Sequence, residues 1–301
     1  MALSLLGCTS LPAVRHVEQV DALPVQVELS QIAFYPQTLD QCGPAALATV
    51  LEHAGVMRTL PQLEADVYVP QRQGSFQLEM LGAVRRAGLV PYVLDGSSRA
   101  LWREVSAGHP VVVLQNLRWN WWPVWHYAVV VGYDRTAGTV ILRSGDEKRM
   151  IMPVEEFEQT WAKAEYWAFV ALSPIELPAT ATEDAFVQAA IHLERVAPEH
   201  AMQAYHTAVQ AWPEHLQARL ALGNAYYKQQ DLSAAQSQYE QALIAHPNAS
   251  DGWNNLAQVL SDMQQWPGAK VAIDKAVALG GVHLERYKAT QMAIDKRLQF
   301  P

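Results

Sequence analysis

The stretch Asp40-Gln41-Cys42-Gly43-Pro44-Ala45-Ala46-Leu47-Ala48-Thr49-Val50-Leu51 decides how the chain is read. After Pro44 the apolar positions Ala45, Leu47, Ala48, Val50 and Leu51 read as a buried helix. Proline is tolerated in a first helical turn because its missing N–H would have no intrahelical partner there. Cys42 therefore falls at the helix N-terminus. The macrodipole and the unpaired N–H groups at that end favour an anion, so a thiol placed there ionises more readily. The thiolate is the species that attacks a carbonyl. A buried structural role is the commonest fate of a lone cysteine, and the helix placement is what argues for chemistry here.

A second stretch, Trp125-His126-Tyr127-Ala128-Val129-Val130-Val131-Gly132-Tyr133-Asp134, reads as a central strand. The spacing predicts a turn over residues 135–138 and a return strand from Thr139 to Leu142, giving a hairpin. His126 alone among the ten histidines opens such a strand; His109 lies in a Gly-His-Pro turn. A strand histidine by itself is usually a satisfied core residue. Paired with Cys42, it becomes the candidate general base. The cluster Trp119, Trp121, Trp122 and Trp125 immediately precedes it, with Arg118 as the cation beside the rings. This cluster reads either as core or lid packing or as an apolar wall for a peptide.

The segments Gln41 to Ala48, Gly108-His109-Pro110-Val111-Val112-Val113 and His126 to Asp134 occur in that order. Together they resemble the bacteriocin-processing, double-glycine-leader type of papain-like cysteine peptidase over about residues 31 to 172. The resemblance implies an α+β papain-like domain in which the cysteine opens a helix and the histidine opens a strand. An Asp on the next strand orients the imidazole, and a glutamine before the cysteine completes an oxyanion hole. Gln37 takes that last role, one residue closer to the cysteine than expected, so Gln41 or a neighbouring backbone group is the alternative. The return strand ends Leu142-Arg143-Ser144-Gly145-Asp146, which puts Ser144 where the family's Asp would stand. Asp146 is the nearest carboxylate and shares a strand face with residue 144, so Asp146 is the expected orienting acid and Ser144 the alternative. Gln73-Gly74-Ser75-Phe76 resembles the family loop flanking the cleft and precedes a helix carrying Leu78, Leu81 and Val84. Gly74, Ser75 and Trp125 are the expected substrate contacts. The implied activity is hydrolysis of a peptide bond through a thioester at Cys42. Acyl transfer to an amine would use the same residues. A non-catalytic peptide-binding scaffold is the rival reading.

The second half repeats with a period of 34: Ala201, Ala235 and Ala269; Ala208, Ala242 and Ala276; Tyr205, Tyr239 and Ile273. Pro213 and Pro247 keep the same spacing. Small residues suit close helix crossings, the larger side chain fills the groove between units, and proline ends the second helix of each. With Leu222-Gly223, Tyr226, Trp253, Leu256 and Ala257, the pattern resembles the tetratricopeptide repeat over about residues 183 to 281. That implies an all-α domain that recruits a protein partner or substrate on an extended concave surface. Residues Leu284 to Leu298 are expected to form a capping helix.

At 301 residues, two domains are expected, since single cores stop growing at about 250–300 residues. A net charge of -8 argues against nucleic-acid binding, which needs a basic face. No His-Glu-x-x-His, paired-cysteine, calcium-loop or glycine-rich phosphate motif occurs, so no metal or cofactor is expected. Leu5-Leu6-Gly7-Cys8-Thr9 resembles a bacterial lipobox, which implies lipidation at Cys8 and a periplasm-facing protein anchored in the cell envelope. Only Met1 to Gly7 precede that cysteine, so the segment reads either as the end of a signal or as an incidental apolar start. The expected organisation is lipobox and tether over 1–30, peptidase domain over 31–174, linker over 175–182 and repeats with their cap over 183–301.

Overall fold

Valine-rich runs bounded by turn residues supply the strands of the first domain. The computed structural model describes residues 23–36, 41–70 and 74–299. In chain order the first domain contains β1 (Gln26–Glu28), α1 (Cys42–His53), α2 (Leu60–Val67), α3 (Gln77–Arg86), β2 (Val90–Val93) and α4 (Ser98–Ser106). There follow β3 (Val111–Asn116), β4 (Trp125–Asp134), β5 (Thr139–Ser144), β6 (Glu147–Pro153), α5 (Val154–Ala162) and β7 (Ala168–Leu172). The sheet runs β2-β7-β3-β4-β5-β6, with β1 added along the far end of β4. Each of these pairings is antiparallel.

An antiparallel strand with one wet face alternates polar and apolar residues, but β3 and most of β4 are buried without alternation. Helices on both faces explain this. Leu114, Tyr127, Val129 and Val131 pack with α1. Gln115, next along β3 and so turned the other way, donates to Thr160 of α5 at 2.7 Å. On α1, every residue from Cys42 to Leu51 is buried, so this helix is enclosed on all sides rather than amphipathic.

Residues 26–28, in the stretch expected to be tether, form a strand. Val27 faces Tyr133, and Glu28 faces Gly132. The approach is so close that a Cβ on Gly132 would lie 2.5 Å from the Val27 carbonyl oxygen. Arg149 clasps Glu28 through two bonds of 2.8 and 2.9 Å, and buried Arg143 donates to the Ile32 carbonyl at 3.2 Å. The proline-bearing segment after β7 is also held. Buried Glu104 on α4 accepts from the Thr180 N–H (2.7 Å), the Thr180 hydroxyl (2.5 Å) and the Ala179 N–H (3.2 Å), and pairs with His109 at 2.6 Å. Burial works to raise this carboxyl's pKa, but the bonds from His109 and Thr180 outweigh it and hold the group below its usual range. Residues Pro178–Ala181 accordingly cluster with the first unit, and Pro174–Leu177 with the second.

The second unit is a run of helices: α6 (Glu183–Glu194), α7 (Pro198–Ala211), α8 (Leu216–Lys228), α9 (Leu232–Ala245), α10 (Ser250–Asp262), α11 (Trp266–Leu279) and α12 (Leu284–Gln299). The alanines at the 34-residue period are fully buried, as are Tyr205 and Ile273. The cap α12 buries Tyr287 and Ile294. Among the described residues, no helix is long and apolar enough to cross a membrane.

The repeat's small positions differ in how much room they have. A Cβ on Gly223 would meet the Tyr239 ring at 2.5 Å, whereas one on Gly268 meets Leu260 at an ordinary 3.4 Å. Gly223→Ala is therefore expected to destabilise the repeat unit by about 1–3 kcal/mol through overpacking. Gly268→Ala should be neutral or stabilise it by up to about 1 kcal/mol through helix propensity. Urea denaturation of the full chain followed by circular dichroism checks the contrast.

Candidate active site

Cys42 is the first residue of α1, with Gln41 at the cap position and no side chain capping the helix. Its thiol is buried. The next residue must be small: a Cβ on Gly43 would lie 2.5 Å from the Ser75 hydroxyl oxygen and 2.8 Å from Ser75 Cβ. Ser75 thus lies against the first turn of α1, on the chain that leads into α3. Gly74 closes a bridge with Val69, whose N–H donates to the Gly74 carbonyl at 2.8 Å. The Ser75 carbonyl accepts from the Tyr127 hydroxyl at 3.1 Å, while the Ser75 hydroxyl is buried with no hydrogen-bond partner. Burial raises the Tyr127 phenol, and negative charge at Cys42 and Glu79 raises it further. Tyr127, the residue directly after the candidate base, thus reaches the chain at the α1 terminus through its bond to Ser75.

His126 lies at the start of β4, opposite Gln115 of β3. Its ring is buried, and Nε2 is 2.8 Å from the Ser144 hydroxyl. Burial without a charged neighbour pushes the imidazole down from 6.5 to about 4. The ring is consequently neutral near pH 7, with Nδ1 the nitrogen that Ser144 does not hold. A carboxylate can only accept, so it would fix the proton on Nε2 and free Nδ1 as a base. A hydroxyl donates or accepts. Ser144 therefore holds the ring in place but leaves its tautomer open.

The structure brings Ser144 to the imidazole and leaves Asp146 away from it. Gly145 and Asp146 form the turn between β5 and β6, and Asp146 is exposed. The expectation that the strand end curls back to bring this carboxylate to the ring is corrected: Gly145, at φ +59°, instead turns the chain directly into β6, pairing Ser144 with Glu147. Gln37 and Cys8 lie outside the described residues. Trp125, next in sequence to His126, is half exposed, and Ser75 stands at the α1 terminus with Gly74 just before it in the chain. The sequence reading missed Tyr127, treated there as strand filler. Its signal was a hydroxyl-bearing aromatic set between a candidate base and a run of purely apolar residues.

Residues 26–169 match the model of the Peptidase_C39 like family, and residues 198–235 and 220–269 match that of the tetratricopeptide repeat. The first unit is thus similar to C39-like peptidase domains and the helices after it to tetratricopeptide repeats, likenesses that support a peptidase-type function and protein binding respectively. Among solved structures, one similar chain is a C39-like peptidase from Bacillus anthracis, at 20% identity over 49% of this chain and 97% of that one, TM-score 0.42. Another is the peptidase domain of Streptococcus ComA, a bifunctional ABC transporter of a quorum-sensing pathway, at 23% identity over 47% and 99%, TM-score 0.39. The repeats are similar to the Sgt2 tetratricopeptide domain of Aspergillus fumigatus, at 21% identity over 39% and 82%, TM-score 0.35. A search of curated proteins finds no significant match.

The depressed histidine has a thermodynamic consequence. Its folded pKa of about 4 lies below the unfolded 6.5, so on acidification the unfolded chain takes up a proton that the folded chain refuses. Stability from this group is unaffected above pH 6.5. It falls as pH drops toward about 4, by a total on the order of 3 kcal/mol. His126→Gln should flatten the stability curve across that window, measured by urea unfolding at a series of pH values.

Proposed function

We propose that the chain is a cysteine peptidase that cleaves a protein or peptide substrate recruited by its helical repeats. Cys42 is the nucleophile and His126 the base. The observation that carries the reading is a cysteine at the buried N-terminus of α1 in a domain that also holds a buried, neutral imidazole at the start of β4, fixed through Nε2 by Ser144. In the proposed step, Nδ1 takes the thiol proton as sulfur attacks the scissile carbonyl. The resulting imidazolium then protonates the leaving amine, and water hydrolyses the thioester. The Cys42 N–H and Gln37 or Gln41 are the proposed oxyanion donors. Gly74, Ser75 and Trp125 line the substrate path. Burial disfavours an imidazolium, so His126 rests neutral and is able to take a proton as attack proceeds. Lipidation at Cys8 and a periplasm-facing place in a bacterial envelope belong to the same proposal, on the Leu5-Leu6-Gly7-Cys8 sequence.

A non-catalytic peptide-binding scaffold is favoured by one observation, the hydroxyl of Ser144 in place of a carboxylate. Labelling with a vinyl-sulfone thiol probe separates the two readings. The native chain should take up probe stoichiometrically, Cys42→Ala not at all, and His126→Ala on the order of a hundredfold more slowly. Uptake by the native chain no greater than by Cys42→Ala would sink the enzyme. Ser144→Asp should raise the imidazole pKa, fix the proton on Nε2 and speed labelling at pH 7 roughly tenfold, with the shift read from histidine NMR titration.

A further inference from the structure

The link between β3 and β4 folds into a short hairpin whose tip consists mostly of tryptophan. Trp119 and Trp122 form a bridge across it, and the Trp122 N–H donates to the Trp119 carbonyl at 3.0 Å. At its base the Leu117 N–H donates to the Val124 carbonyl at 2.9 Å, and the buried Asn116 side chain accepts from the Arg118 N–H (3.1 Å) and the Val124 N–H (3.0 Å). The hairpin is thus tied at both ends, yet its large side chains face water. Trp119, Trp121, Trp122 and Trp125 are 63%, 76%, 61% and 51% exposed, and Leu117 is 43% exposed. The rings pack on one another, Trp119 stacked on Trp121 at 5.6 Å and Trp121 edge-on to Trp122 at 6.3 Å. At 150–250 Å² per ring, the exposed part amounts to roughly 500 Å², as large as the biggest apolar patch on an ordinary monomer.

We infer that this hairpin docks the peptidase domain on a phospholipid surface with anionic headgroups. Three features select that occupant over a peptide or a sugar. First, the patch is the exposed tip of a hairpin, with its rings open to water and so free to enter a soft surface. Second, the large residues at its tip are all tryptophan. Elsewhere Trp161 and Trp253 give their N–H groups to backbone carbonyls at 3.0 and 2.8 Å, whereas no such bond is made by the hairpin indoles. An apolar body with an unused donor suits the boundary between acyl chains and headgroups. The Trp119–Trp121 stack also occupies ring faces that a sugar or base would need. Third, the charge is complementary. In a chain of net charge -8, no Asp or Glu occurs between Ser106 and Tyr133. Exposed Arg118 stands in the hairpin, and the exposed Lys163 amine reaches its carbonyl at 2.8 Å. The docking does not depend on Cys42 being catalytic. If Cys42 is, Trp125 beside His126 places hydrolysis at the bilayer surface, on segments emerging from or lying along it.

Flotation of the full chain with vesicles tests the docking. Cys8→Ser is introduced throughout, so that no acyl chain contributes. The vesicles are phosphatidylcholine alone or an equimolar mixture with phosphatidylglycerol. The parent should float with the mixed vesicles. The triple variant W119A/W121A/W122A should lose roughly tenfold or more of its partitioning while keeping the parent's melting temperature, since the removed rings are exposed. Arg118→Glu should weaken binding severalfold on the mixed vesicles and leave phosphatidylcholine binding unaffected. A parent that stays with the soluble fraction overturns the inference, as does a triple variant that floats as the parent does. Equal flotation with loss of peptide turnover in the triple variant would assign the rings to the substrate path instead, and a parent made dimeric by the hairpin would assign them to self-association.

Discussion

The enclosure of α1 is the constraint on which the first domain depends. Ten successive residues of this helix are buried, so it has no solvent-facing side along which to slide or rotate. The sheet meets it through Tyr127, Val129 and Val131, and the chain entering α3 meets it through Ser75. A helix gripped from several directions delivers its first residue to a fixed point, and that residue is Cys42. Gly43 is the tolerance of the arrangement: with any Cβ there, Ser75 and the helix could not approach as they do.

Burial also sets the electrostatics of the imidazole. Excluding water from the start of β4 costs the imidazole its charge, and the neighbour that holds it is a neutral hydroxyl. A family-like carboxylate would have favoured the cation and set the tautomer. Here placement is retained and charge stabilisation is not. In the proposed reaction, the barrier then includes creation of an ion pair in a poorly solvated site, offset by whatever dipoles face it at that moment, those of α1 among them.

Much of this was legible in the sequence, and the limits are physical. The Gly-Pro step after Cys42 and the valine run after His126 are local signals for a helix start and a buried strand, and both stand where they were read. The period of 34 predicted the buried alanines and Tyr239 because each repeat packs on its neighbour by one rule. Strand β1 was not legible: three residues without a long apolar run become a strand because β4 offers an unpaired edge and Gly132 permits approach. Asp146 was misplaced because alternation gives the face a residue would take, but not whether the chain turns before reaching it. Tyr127 was passed over because its hydroxyl bonds to Ser75, 52 residues away, a contact that no single stretch of sequence contains.

The hold of Glu104 on Thr180 bears on how such a chain is divided. Composition suggests a joint at Pro174, where the strands end and prolines begin. A cut there would leave the first unit with a buried carboxylate stripped of the Ala179 and Thr180 donors, facing only His109. The seam between modules, as a unit of recombination or of shuffling between proteins, therefore lies beyond Ala181, and a graft that respects the prolines but ignores Thr180 would carry its own destabilisation with it.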